Sequence, residues 1–225
     1  MRMSLCTIRP ARLRGTLWLL IGVTAVLASV AEAQSVSGKV YGAFVQSPVG
    51  TQQSAVAVLP AVTADDGAMA DDAADGLSVP GTLTTDALTG TTSGGINDAA
   101  AAQSVATVFN VNLLNGLITA SSLTATVSST SDGAQATSNA LGSTLADLVV
   151  NGVPLTSGDG TIAPNTRVAL PGVGYVVLNE QLPTGDGVRT SGLTVNLIHV
   201  VLQNALTGTQ TGEIIVGSAS SNATM

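Results

Sequence analysis

Apolar and polar residues alternate with a period of two along most of the chain after Ala33. That spacing puts successive side chains on opposite faces of a strand. Val36 to Val45 reads as a first strand, with Val40, Gly42 and Phe44 on one face. Ser54 to Leu59 follows, with Val56 and Val58 sharing a face, and Pro60 ends it. Val105 to Ala120 is a long apolar stretch in which Asn110 and Asn112 alternate with Phe109, Val111 and Leu113. Leu123, Ala125 and Val127 alternate with Thr124 and Thr126. Thr144 to Val150 reads as a further strand. Arg167 to Leu170 and Gly174 to Leu178 flank the turn Pro171-Gly172. Leu193 to Gln203 and Glu213 to Ala219 form a terminal hairpin.

Short strands at this spacing predict an all-β fold, an antiparallel β-sandwich or a barrel-like variant, with at most one or two short helices. The alanine-rich run Asp98 to Thr107 is the best helical candidate, and Asn139 to Val149 is a second. Residues 60–95 break the pattern. They are rich in Asp, Ala, Gly and Thr and read as a long acidic loop between core strands, tacked down near Leu77-Ser78-Val79.

The first 33 residues have a different character. Arg2, Arg9, Arg12 and Arg14 precede an apolar run from Leu17 to Ala28, and Ala31-Glu32-Ala33 has the A-x-A form of a cleavage site. These features predict a signal peptide over 1–33 and a single exported domain over 34–225. The apolar run is short for a membrane span. Cleavage removes the one Cys and the one Trp and leaves Lys39, Arg167 and Arg189 as cations against 13 acids. Stability then rests on a packed core, without disulfides.

Composition sharpens the picture. Charged residues are 9% of the chain and hydrophobic residues 45%, which excludes a highly charged disordered chain and a coiled coil. The scarcity of cations argues against a nucleic-acid partner. Val, Thr and Ile exceed a quarter of residues 34–225, in keeping with pleated, half-buried surfaces.

Candidate chemistry is sparse. Zinc sites built on Cys and His and cysteine nucleophiles lack their residues. No G-x-S-x-G or S-x-x-K motif occurs. His199 sits mid-run in Val195-Asn196-Leu197-Ile198-His199-Val200-Val201, on a face with Val195, Leu197 and Val201, and reads as a sheet histidine satisfied by a neighbour. Glu180 could pair with Asp186 or Asp159 as in a glycosidase, although no spacing supports that pair. Asp65, Asp66, Asp71, Asp72 and Asp75 are the candidate Ca²⁺ ligands, since carboxylates are hard donors. Their spacing does not fit D-x-D-x-D-G, and a solvated acidic loop is the competing reading.

Pro164-Asn165-Thr166, Val168 to Gly174 and Val176-Val177-Leu178-Asn179-Glu180-Gln181 together resemble the choice-of-anchor P family. Val195 to Val200, Ile215 to Ala219, Ser37-Gly38, Tyr41-Gly42 and Asn112 to Ile118 are also similar to its pattern. The resemblance implies an exported bacterial surface domain and supplies no catalytic residue. Members of that family carry variable C-terminal anchors. Ser220 to Met225 holds no sortase motif, apolar span or basic tail, so release or capture by another protein is expected.

Asn179, Glu180 and Gln181 form a polar cluster at the end of an apolar strand. A buried Glu180 needs a partner, with Arg167 and Arg189 the nearest cations to consider, and the cluster is expected to tie a loop corner together. The expected role is therefore structural or interactive at the cell exterior, with no cofactor and no catalysis. A cell-envelope or matrix component, or a second copy, would be the partner, and no membrane span remains after cleavage. The alternatives are a binding module for a small ligand or polysaccharide and, behind it, a carboxylate-dependent hydrolase.

Overall fold

The computed structural model describes residues 33–48, 50–62 and 66–225. The signal peptide expected over 1–33 lies outside them except for Ala33. The described chain is all-β and antiparallel, without a helix.

Its strands run β1 (Ser35–Ser47), β2 (Gly50–Val58), β3 (Asp66–Ala74), β4 (Leu77–Val79), β5 (Leu83–Thr85), β6 (Leu88–Ile96), β7 (Ala100–Leu113), β8 (Ile118–Ser131) and β9 (Ala136–Asn139). Then come β10 (Thr144–Ala146), β11 (Val149–Val150), β12 (Val153–Pro154), β13 (Asp159–Gly160), β14 (Thr166–Leu170), β15 (Gly174–Gly185), β16 (Thr190–Gln203) and β17 (Gln210–Thr224). One open sheet of six strands has the order β14-β15-β16-β17-β1-β2, so the first and last strands pair, from Ser35 opposite Thr224 onward. The second sheet is centred on β7 and β8. β6 and β5 pair with successive parts of β7, and β9, β10 and β11 with successive parts of β8.

The sheets face each other across one main core. Val40, Val176, Leu178, Val195, Leu197, Ile198, Val200, Ile214 and Val216 of the first sheet meet Leu88, Val108, Val111, Leu113, Ile118, Leu123 and Val127 of the second. Toward one end the core becomes hydroxylic. Ser104 donates to Ser220 O (2.7 Å) and shares a hydrogen bond with Thr92 (2.8 Å), while Ser129 bonds Ser221 Oγ (2.7 Å) and Ser138 bonds Ser191 (2.7 Å). Buried hydroxyls must find partners, and here they find them across the gap between sheets.

Three stretches depart from their expected local structure. The alanines of Asp98 to Thr107 lie on β7, where Ala100, Ala102, Ser104 and Ala106 alternate inward. Small side chains suit a place where the sheets approach closely, and paired neighbours on both sides override helix propensity. Asn139 to Val149 is likewise turns and the strands β10 and β11, interrupted by Gly142 at φ +91° and Asp147 at φ +49°. Within the stretch expected as an acidic loop over 60–95, the described residues from Asp66 onward form four strands. On β3, Ala68, Ala70 and Ala74 turn toward the core while Asp66, Asp71 and Asp72 stay exposed. β3 is an edge strand, and charge there discourages pairing with another chain.

A seam crosses the six-stranded sheet. At Ala55, Gly42, Gly217, Leu197 and Asn179 the ladder skips one pair between each two neighbours. Ala55, Gly217 and Asn179 take left-handed backbone (φ +54°, +68° and +49°). The alternation breaks on each strand along this seam, so two consecutive residues face inward: Gly42 with Ala43, Leu197 with Ile198, Leu178 with Asn179. Hence Phe44 lies on the opposite face from Val40, not beside it as alternation predicts. In the second sheet Asn110 (φ +50°) does the same, turning Phe109 outward while Val111 and Leu113 point in.

Candidate functional site

The seam decides what the outward face of the six-stranded sheet carries. On β16, Leu197 and Ile198 both point inward, so Asn196 and His199 both point outward although they are three residues apart. Val195 and Leu197 therefore do not share the face of His199, and Val201 does. Cross-strand register then builds three rows. Glu180, Asn196, Ser218 and Tyr41 form one; Arg167, Val177, His199, Ile215 and Phe44 the next; Tyr175, Val201, Glu213 and Gln46 the third.

His199 is held between two carboxylates. Its Nδ1 lies 2.9 Å from Glu180 Oε2 and its Nε2 3.2 Å from Glu213 Oε2. Asn196 Nδ2 donates to the same Glu180 oxygen (2.7 Å), and Ser218 Oγ donates to Asn196 Oδ1 (2.7 Å). The three charged side chains are 16–26% exposed. A neutral imidazole has one N–H and can serve only one carboxylate; the imidazolium serves both. The hydrogen bond to Glu180 accordingly raises the His199 pKa above its usual value, against the opposing effect of burial. The same bond lowers the pKa of Glu180. Burial raises that of the Tyr41 phenol. With both ring nitrogens engaged, His199 has no free lone pair for a substrate proton.

Aromatic and cationic groups surround this clamp. The Arg167 guanidinium stacks 3.7 Å above the Tyr175 ring, Lys39 Nζ lies 5.8 Å from the Tyr41 ring centre, and Tyr41 packs against Phe44 with centroids 6.1 Å apart. Three of the four aromatics beyond residue 33, the only His, and both Glu residues beyond Glu32 thus share one sheet face.

The polar cluster Asn179, Glu180 and Gln181 divides across the sheet. Glu180 faces outward and pairs with His199 and Asn196 rather than with Arg167 or Arg189. Asn179 and Gln181 lie on the other side. Asn179 Nδ2 donates to Ile162 O (2.7 Å), Asn165 N to Asn179 O (2.9 Å), and Gln181 N to Asn165 Oδ1 (2.9 Å), fastening residues 162–165 to β15.

The aspartates proposed as Ca²⁺ ligands do not gather: among the described residues no three His, Cys, Asp or Glu side chains form a metal-binding group. Strand alternation sends Asp71 and Asp72 to opposite faces of β3. Asp66 Oδ1 accepts its neighbour's N–H from Gly67 (2.7 Å), and Asp72 Oδ2 accepts the Val56 N–H of β2 (2.8 Å). Asp75 follows the strand end, and Asp65 lies outside the described residues.

Glu213 and its link to His199 escaped the sequence reading. The spacing Asn-Leu-Ile-His, two apolar residues between two polar ones, is the one local sign of the broken alternation. No protein-family model, no curated protein and no solved structure matches the chain.

Proposed function

We propose that the chain is an exported bacterial surface domain with a structural or interactive role, and that it engages its partner through the outward face of the six-stranded sheet. The supporting observation is the concentration on that face of Tyr41, Phe44, Tyr175, Arg167 and the Glu180–His199–Glu213 clamp, in a chain otherwise nearly free of aromatic and cationic groups. Aromatic and Arg side chains are the usual anchors of protein interfaces. The resemblance to choice-of-anchor P proteins and the signal-like N-terminus support a location outside the cell, with an envelope or matrix component as partner. A non-catalytic role is supported by the occupied ring of His199. Arg167 covers one face of Tyr175, which speaks against that ring as a sugar platform.

The test is binding of labelled residues 34–225 to isolated cell envelope. Arg167→Glu and Phe44→Ala should each abolish it, and Thr91→Arg on the other sheet should leave it intact. Equal binding by all three variants, or none by the parent chain, overturns the reading.

A further inference from the structure

A cavity of about 340 Å³ opens where β9 of the second sheet meets β15, β16 and the loop before β14. It lies on the side of β15 away from the His199 clamp. Its volume is at the lower end of small-molecule sites, which begin at roughly 300 Å³. No ionisable side chain lines it. Two amides do, those of Asn165 and Gln181, together with the apolar surfaces of Pro183 and Leu193.

Each amide is fixed at one end by the protein. Asn165 Oδ1 accepts the Gln181 N–H (2.9 Å), and Gln181 Nε2 donates to Asn179 Oδ1 (3.1 Å). The opposite ends, Nδ2 of Asn165 and Oε1 of Gln181, have no hydrogen-bond partner among the described residues. A donor group and an acceptor are thereby oriented in advance, which lowers the ordering cost of binding. We propose that this cavity binds an uncharged sugar residue. Sugar hydroxyls both donate and accept, as the mixed set requires, and the C–H face of a pyranose suits Pro183 and Leu193. A uronate or sulfated sugar would leave its charge without a cation in the lining, at a desolvation cost. The inference is independent of the partner proposed for the outward face of the six-stranded sheet.

The test uses residues 34–225, titrated at millimolar concentrations with glucose, galactose and mannose, their neutral oligosaccharides, and glucuronate, followed by amide NMR. A neutral sugar should shift the amides of Gln181, Thr184 and Gly192, and glucuronate should not. Asn165→Asp keeps the oxygen that accepts from Gln181 and removes the donor, so it should weaken binding about tenfold, a loss of ~1.4 kcal/mol. Pro183→Trp, on the same face of β15 as Gln181 and checked for folding by its spectrum, should block the site by bulk. Tighter binding of oligosaccharides than of monosaccharides would make the cavity a subsite for a polymer; equal affinity would make it a site for free sugar. No binding by any neutral sugar, equal binding of glucuronate, shifts confined to the outward sheet face, or indifference to both variants overturns the proposal.

Discussion

Replacing His199 by Gln tests whether the clamp carries charge. In the parent chain at pH 5.5, both ring nitrogens donate to carboxylates, at 2.9 Å and 3.2 Å. Hydrogen bonds to charged groups contribute about 1.5–3 kcal/mol each. The side chains are 16–26% exposed, so solvent screens them, and Glu180 keeps its bond from Asn196. A combined loss of about 2–3 kcal/mol is expected, which for a domain of this size lowers Tm by roughly 5–10 °C. The sign with pH follows from linkage. A raised His199 pKa contributes stability that is full below the unfolded value near 6.5 and fades as pH rises through the folded value. A lowered Glu180 pKa contributes stability that is present above its unfolded value and is lost as pH falls through the folded one. The clamp is therefore strongest between the two. Melting curves of parent and His199→Gln chains at pH 5.5 and 9 should show the gap shrinking at pH 9. A gap that is the same at both pH values, or below about 1 °C at pH 5.5, refutes an ionic clamp.

Three further outcomes test the frame around it. Gly217→Ala places a Cβ 3.3 Å from Leu197 Cδ1 at φ +68°, whereas Gly172→Ala, at φ +76°, meets nothing within 4 Å. Both meet the left-handed penalty of about 1–2 kcal/mol, so thermal melts should show the first to be the more costly, and equal losses would mean that the seam yields freely. Asp72→Ala frees the Val56 N–H on the edge of β2, and light scattering should reveal concentration-dependent association that the parent lacks; a variant that stays monomeric counts against Asp72 as an edge guard. Ser104→Ala strips Thr92 and Ser220 O of their buried partner and should cost about 1–3 kcal/mol in urea unfolding. A loss under about 0.5 kcal/mol would show that the inter-sheet hydroxyl links add nothing.

Period-two alternation and β-branched composition were enough to make the chain antiparallel β. They located β1, β8, β14, β15, β16 and β17 because each of those strands has one face in the core. Short-range pattern failed where neighbours decide. Ala100 to Ala106 is intrinsically helical, and only its pairing with β6 and β8 makes it strand. The aspartates of β3 look like loop residues until the strand is seen at an edge, where charge is favoured.

The site was legible only in part. The sequence by itself determined that charge, aromatics and candidate chemistry would be few, and that Glu180, if buried, needed a partner. That the partner is His199, with Glu213 on its other side, was decided by tertiary structure. A single left-handed residue on β15 or β17 inverts every side chain beyond it, and cross-strand register joins residues 14 and 19 positions apart. Neither the inversion nor the register is encoded in local periodicity; both arise from the hydrogen-bonded ladder as a whole.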